Sequence, residues 1–248
     1  MKKLIVIGGG ASGLMAAGIA AQNGAETIIF EKKLRPGRKL RITGKGRCNL
    51  TNIIELKEFL DHFDSGKRFL RQAFARFFAD DLIRFFDQLG IKTDSERGGR
   101  VFPIDNDAGK VVDALESWVH RCGVTVRTNA SVESLLTKNG CIIGVQVPRE
   151  SQTAIKAPYS SSSRKSRNDS KLYQADAVII ATGGLSYPAT GSTGDGYRLA
   201  RDVGHTIVPT RPSLVPVKTS GDTAPQLQGL SLRNVEVSLY VEIGRAHV

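Results

Sequence analysis

The 248-residue sequence predicts an α/β fold organised around a buried parallel sheet. Three observations carry that expectation. Leu4-Ile5-Val6-Ile7 is a continuous apolar, β-branched run of the kind found in strands covered on both faces. A similar run, Ala177-Val178-Ile179-Ile180, recurs far downstream. The stretches between them switch repeatedly between helical and strand periodicity. With 40% hydrophobic residues the chain can fill an ordinary core, which excludes disorder for most of its length and fits one to two domains.

The first strand runs directly into Gly8-Gly9-Gly10-Ala11-Ser12-Gly13. From Ser12 to Asn23 the chain is rich in Ala, Leu, Met and Ile, a helix whose small residues permit close packing on a sheet, and Gly24 is placed to stop it. Thr27-Ile28-Ile29-Phe30 is a second strand. The result is a βαβ unit whose turn has the G-x-G-x-x-G spacing of dinucleotide-binding Rossmann folds. Gly8 allows the tight turn, Gly10 lets the backbone approach a pyrophosphate, and Gly13 lets helix and strand pack closely. Ala11 and Ser12 open the helix, where unpaired N–H groups face the phosphates. Glu31 lies 18 residues after Gly13, at the end of the second strand. A carboxylate there accepts hydrogen bonds from the ribose hydroxyls of an adenosine and repels a 2′-phosphate.

Farther along, Phe59, Phe63, Phe69, Phe74, Phe77, Phe78, Phe85 and Phe86 recur at near-helical spacings, predicting two or three amphipathic helices in a helical segment over 54–104. Core packing is the expected role of these rings, because phenylalanine lacks a polar handle. Asp107 begins a helix through Trp118 to Cys122, ended by Gly123, and Val124-Thr125-Val126 is a third parallel strand. Val132 to Leu136 and Ile142 to Val147 read as a hairpin turning at Asn139-Gly140. The Ser-, Lys- and Arg-rich stretch 148–172 has no apolar periodicity and reads as a solvated insertion. Asp195 is expected to cap a helix through Arg201. Ser213 to Val217 and Val235 to Tyr240 read as strands opening a β-rich second domain over 209–241.

The formal charge is +11. Glu31 to Arg47 holds eight basic residues and one acid, and Pro148 to Leu172 six basic and two acidic, which together account for the whole excess. Two local patches differ from the face-long basic stripe of a nucleic-acid groove, so nucleic acid is not the expected partner. Arg38 and Lys39, just after Glu31, are expected near a pyrophosphate or flavin. Cys48, Cys122 and Cys141 form no close pair, which excludes a zinc site or redox disulfide of short spacing and leaves no metal expected. The start, a charged head followed by an apolar run, imitates a signal peptide, but Gly8, Gly9, Gly10 and Gly13 fit one poorly. Beyond that run no other stretch has the apolar length of a membrane span, and the expected location is cytoplasmic.

Asp176 to Gly184, a strand ending in Ala181-Thr182-Gly183-Gly184, resembles the strand that returns to the nucleotide in the glutathione-reductase-like superfamily of FAD proteins. With no second G-x-G-x-x-G, FAD is the single dinucleotide assigned. Pro36 to Asn52, containing Gly46-Arg47-Cys48-Asn49-Leu50-Thr51-Asn52, resembles a bacterial flavoprotein family. So do Gly98 to Pro103 and Gly191 to Tyr197. The family is labelled NAD(P)/FAD-dependent oxidoreductase, BaiN/RdsA-like, or aminoacetone oxidase. The resemblance runs from Met1 to about Leu239. It implies an FAD-binding domain over 1–208, interrupted by β-rich and helical segments, and a chain that returns to the flavin beyond this sequence. It also implies cofactor contacts at Lys32, Asn49, Val132, Ala181, Thr182, Gly183, Gly194 and Asp195, beside those read from the βαβ unit. Residues 242–248 read as the translation of a sequencing-library adapter outside the fold. The implied activity is oxidation or reduction of a small organic substrate, with NAD(P)H as a candidate electron donor. The alternatives are an FAD-dependent RNA-modifying enzyme and a flavin-binding fragment without turnover. No catalytic acid or base can be named from the sequence.

Overall fold

The computed structural model describes residues 1–63, 66–148, 170–212 and 220–230. The chain opens with strand β1 (Lys3–Ile7), helix α1 (Ala11–Gln22) and strand β2 (Glu26–Phe30). Next come β3 (Thr51–Asn52), α2 (Leu56–Asp61), α3 (Lys67–Arg76), α4 (Ala79–Gln88), β4 (Thr93–Ser95) and β5 (Arg100–Pro103). The succession continues with α5 (Ala108–Arg121), β6 (Thr125–Arg127), β7 (Ser134–Lys138), β8 (Cys141–Pro148), β9 (Ser170–Gln174) and β10 (Ala177–Ile180). Helices α6 (Asp195–Asp202) and α7 (Thr223–Gln226) follow. Contacts divide the chain into a unit of Met1–Ile207 and a unit of Val208–Val248.

In the first unit β10, β1, β2 and β6 form a parallel sheet in that spatial order. The fold is a Rossmann-type α/β domain. Period-two alternation sends β1 side chains to opposite faces. Val6 joins Leu14 and Ala17 of α1 and Val111, Leu115, Trp118 and Val119 of α5 in one core. Ile5 and Ile7 join Phe30, Val132, Val145, Val147 and Leu199 in the other. Helices thus cover one face and the antiparallel sheet β7-β8-β9 the other. Gly18 makes the helix layer possible, since a Cβ there would sit 2.3 Å from the Trp118 ring.

Local signals behave as their chemistry demands. Asp107 caps α5, its carboxylate accepting from the N–H groups of Gly109 at 2.7 Å and Lys110 at 3.4 Å. Asn139 (φ 52°) and Gly140 (φ 75°) turn the β7–β8 hairpin. Other elements differ from expectation. The segment 54–104 is helical only through α4, and its end forms β4 and β5, which with β3 make a third sheet in the order β3-β5-β4. Strands of three and four residues are too short to show a period of their own, and the β3 partner of β5 lies about fifty residues earlier. Phe86 is buried and Phe85 packs edge-on against Trp118 at 4.8 Å, while Phe59, Phe63, Phe74 and Phe78 pack on one another. Phe69 and Phe77 stay exposed, contrary to the core role expected of all eight rings. Gly194 (φ 83°), not Asp195, occupies the N-cap of α6, because Asp195 is already helical and its side chain is engaged elsewhere. Pro148 and Ser170 to Leu172, expected in the insertion, belong to β8 and β9. The rest of that stretch, 149–169, and the expected strands at 213–217 and 235–240 lie outside the described residues, as does 242–248.

Candidate functional site

A cleft of about 360 Å³ opens at the carboxyl ends of β1, β2 and β10. This is where parallel α/β sheets bind ligands. Gly8, Gly10, Ala11 and Ser12 form one wall, Glu31, Lys32, Arg38 and Lys39 a second, and Ala181, Thr182, Gly183 and Asp195 a third, with Val132 below. Those thirteen expected contacts come together from segments up to 187 residues apart. Gly13, Asn49 and Gly194 do not line the cleft. Gly13 lies beneath the turn, Asn49 is exposed, and Gly194 starts α6. Arg35, Gly37, Thr43, Ser131, Thr190 and Ser192 line it without having been singled out: Gly37, Thr43 and Ser192 lie inside stretches whose resemblance pointed to other residues, and Arg35, Ser131 and Thr190 belong to no local motif.

The glycines of the turn have different jobs. A Cβ on Gly8 would lie 2.5 Å from the Ala181 carbonyl oxygen, and one on Gly13 would lie 1.9 Å from the Gly8 carbonyl oxygen. Both are demanded by the protein's own packing. Gly10 has φ −80°, which any residue adopts, and a Cβ there would meet nothing within 4 Å. Its bareness leaves room in the cleft that a side chain would fill. Beside it, α1 starts without a side-chain cap, so its first amides have no partner within the helix. A cradle of this kind suits a diphosphate.

Glu31 accepts backbone N–H bonds at both oxygens, from Gly9 at 2.7 Å and Lys33 at 2.8 Å. The carboxylate therefore ties the glycine turn to the loop after β2, and each oxygen keeps a second lone pair for a ligand. Lys32 crosses the cleft rim to Asp195 and Thr193, both at 2.6 Å. Burial would raise the Asp195 carboxyl, but the Lys32 ammonium, the Thr193 hydroxyl and Arg198 outweigh it and hold the group below the usual carboxylate range. Two expected cofactor contacts are thus partners of each other. Arg41 pairs with Asp113 and Glu116, and Arg47 with Glu96. Arg35, Arg38 and Lys39, by contrast, carry no ion pair among the described residues and line the cleft. The cleft's uncommitted charge is positive. Cys48 is fully buried in the helix-side core, where burial pushes its thiol up against an opposing Thr43 hydrogen bond, and it does not line the cleft.

The family model for the HI0933-like protein Rossmann domain matches residues 2–240. The chain belongs to that family. Among curated relatives, the 3-dehydro-bile acid delta(4,6)-reductase of Clostridium scindens is 36% identical over 88% of this chain and 48% of its own length. The ribosomal RNA dihydrouridine synthase of Escherichia coli is 29% identical over 92% of this chain and 50% of its own length. The chain thus spans about half the length of these relatives. Among solved structures, a flavocytochrome c3 fumarate reductase superposes with a TM-score of 0.58 at 19% identity, over 83% of this chain and 41% of that one. Sdh1 of Mycobacterium smegmatis gives 0.53 at 18%, over 82% and 39%. These two likenesses concern the fold alone. Among the described residues no helix is long and apolar enough to cross a membrane, and no group of acidic, His and Cys side chains could hold a metal ion.

Proposed function

We propose that this HI0933-like chain holds FAD in the cleft as the flavin-binding part of an oxidoreductase acting on a small organic substrate. The observation that carries the reading is Gly10, bare where the fold does not require it, beside the unpartnered first turn of α1. Flavin, when bound, supplies the electron transfer, and the protein supplies binding, orientation and electrostatics. The α1 amides and the unpaired cations Arg38 and Lys39 would hold the diphosphate. Glu31 would take ribose hydroxyls on its remaining lone pairs, and Val132, Ala181, Thr182 and Gly183 would wall the rest of the cofactor. Asn49 and Gly194 remain expected contacts only through their neighbours' placement. NAD(P)H is the proposed electron donor. Three free cysteines suit a reducing compartment, and we place the protein in the cytoplasm. Purified protein should be yellow and release FAD on denaturation, as read by chromatography. Release of FMN, or uptake of no flavin even after titration, contradicts the proposal.

A second reading, in which the reduced substrate is RNA, is favoured by a separate observation. Helix α3 carries Lys67, Arg68, Arg71 and Arg76 with no acid, and Phe69 beside them is 87% exposed. Cations around an exposed ring suit phosphates and a stacked base. Two curated relatives are named ribosomal RNA dihydrouridine synthases. If RNA is the substrate, retention on ribosomal RNA should fall steeply with salt, and replacing Arg68, Arg71 and Arg76 by Gln should flatten the slope by about 2. Salt-independent or absent retention leaves the small-molecule reading.

A further inference from the structure

The cleft has a second polar group besides the glycine turn, built around Ser192. Ser192 is 7% exposed, and apart from Thr27 it is the buried polar residue of the described chain. Thr27 donates its hydroxyl to the Ala25 carbonyl, whereas the Ser192 hydroxyl has no hydrogen-bond partner among the described residues, although it lines the cleft. The residue is held in place by its surroundings while its hydroxyl opens into the cleft with its hydrogen-bonding capacity free for a ligand. Facing it is Gly183, held at φ +73° at the end of β10. A Cβ on Gly183 would lie 2.7 Å from Ser192 Oγ and 4.0 Å from Lys39 Nζ, so hydroxyl and ammonium converge on one bare spot of backbone. Lys39 also has no ion pair among the described residues. The chain around Ser192 is locked in place: Lys32 grips Thr193 and Asp195 on either side of Gly194, and Gly196 lets α6 close against Thr182 and Ile180, where any Cβ would come within 2.5 Å of Thr182 Oγ1. An unpaired cation and an unpaired hydroxyl donor, fixed around a glycine, recognise a phosphoryl group.

We propose that Ser192 and Lys39, across Gly183, form a phosphate-binding subsite separate from the α1 turn, which takes one phosphate of the bound dinucleotide. The inference rests on the dinucleotide reading of the cleft, and it adds a residue and a ligand group to it. The same chemistry could serve a free phosphate or a phosphorylated substrate, and the test separates these sources.

The experiment compares wild type with Ser192→Ala and Lys39→Gln by FAD titration and by thermal unfolding, with and without millimolar inorganic phosphate. Ser192→Ala should weaken FAD binding about tenfold, and Lys39→Gln by at least as much. Without ligand the Ser192→Ala protein should melt within a degree or two of wild type, because the change deletes a hydroxyl that bonds no other described group. A structural role would instead lower the melting temperature and the affinity together, and that result overturns the proposal. Phosphate should stabilise the flavin-free wild type and do so less in both variants. In FAD-loaded protein the phosphate effect should vanish. If it persists, dependent on Ser192, the subsite serves a separate anion and its assignment to the dinucleotide is overturned. FAD binding unchanged in both variants refutes the subsite while leaving the cofactor reading intact. Phosphate stabilisation that depends on Ser192 in a protein that takes up no FAD supports the subsite and refutes the cofactor reading.

Discussion

Glu31 shows how a single carboxylate can serve fold and ligand together. Because its two oxygens hold the Gly9 and Lys33 amides, Glu31→Ala should lower stability by about 2 kcal/mol, the worth of hydrogen bonds to a charged group, as well as weaken FAD binding. Denaturant melts with and without FAD check this. A loss of affinity with unchanged stability would mean the turn does not need the carboxylate. The spacing of Glu31 from the glycines was legible in the sequence, but its backbone bonds depend on the loop curling back after β2 and were not. Asp195 makes a pH-dependent contribution. Its folded value is depressed, so the ionised form stabilises the fold. That contribution is complete above the unfolded value of about 3.9 and is lost as pH falls through the lower folded value. Stability measured at pH 7 and pH 3 should therefore fall further in wild type than in Asp195→Asn. Equal losses would show that the Lys32 pairing contributes nothing. Both partners were recognised in the sequence as site residues, yet their pairing spans 163 positions and leaves no local trace.

Elements defined by local chemistry were readable, and those defined by distant partners were not. The Asp107 cap, the Asn139-Gly140 turn and the glycine stops at Gly24 and Gly123 each follow from one or two residues. The sheet of β3, β5 and β4 does not, since the two residues of β3 cannot announce a partner some fifty positions away and β4 and β5, although neighbours in sequence, are too short to show a period. The β8–β9 connection illustrates what pairing adds. Pro148 and Ser170 face each other in the ladder, so the two ends of the intervening stretch are neighbours in space. Replacing residues 150–169 by a four-residue turn should keep the melting temperature within a few degrees and FAD binding intact, because loop closure costs only about 0.6 kcal/mol per doubling of length. Collapse of the fold on deletion would show that the stretch carries structure.

On the scale of the molecule, the parallel sheet gathers the ends of β1, β2 and β10 at one edge, and the two cores clamp it from opposite faces. The βαβ unit and the returning strand gave the sequence reading its fold, and together with the family resemblance and the basic loop after Glu31 they reached thirteen residues of the cleft. Ser131, Thr190 and Ser192 join the cleft from loops outside the βαβ unit, and no spacing rule reaches them. The central claim is that the fold leaves Gly10 bare for a ligand and for no purpose of its own. FAD affinity and melting temperature of Gly10→Val against wild type test it most directly. The expected result is a flavin-free melting temperature within a few degrees of wild type together with FAD binding weakened at least a hundredfold. A Gly10→Val protein that binds FAD as tightly as wild type would contradict the account.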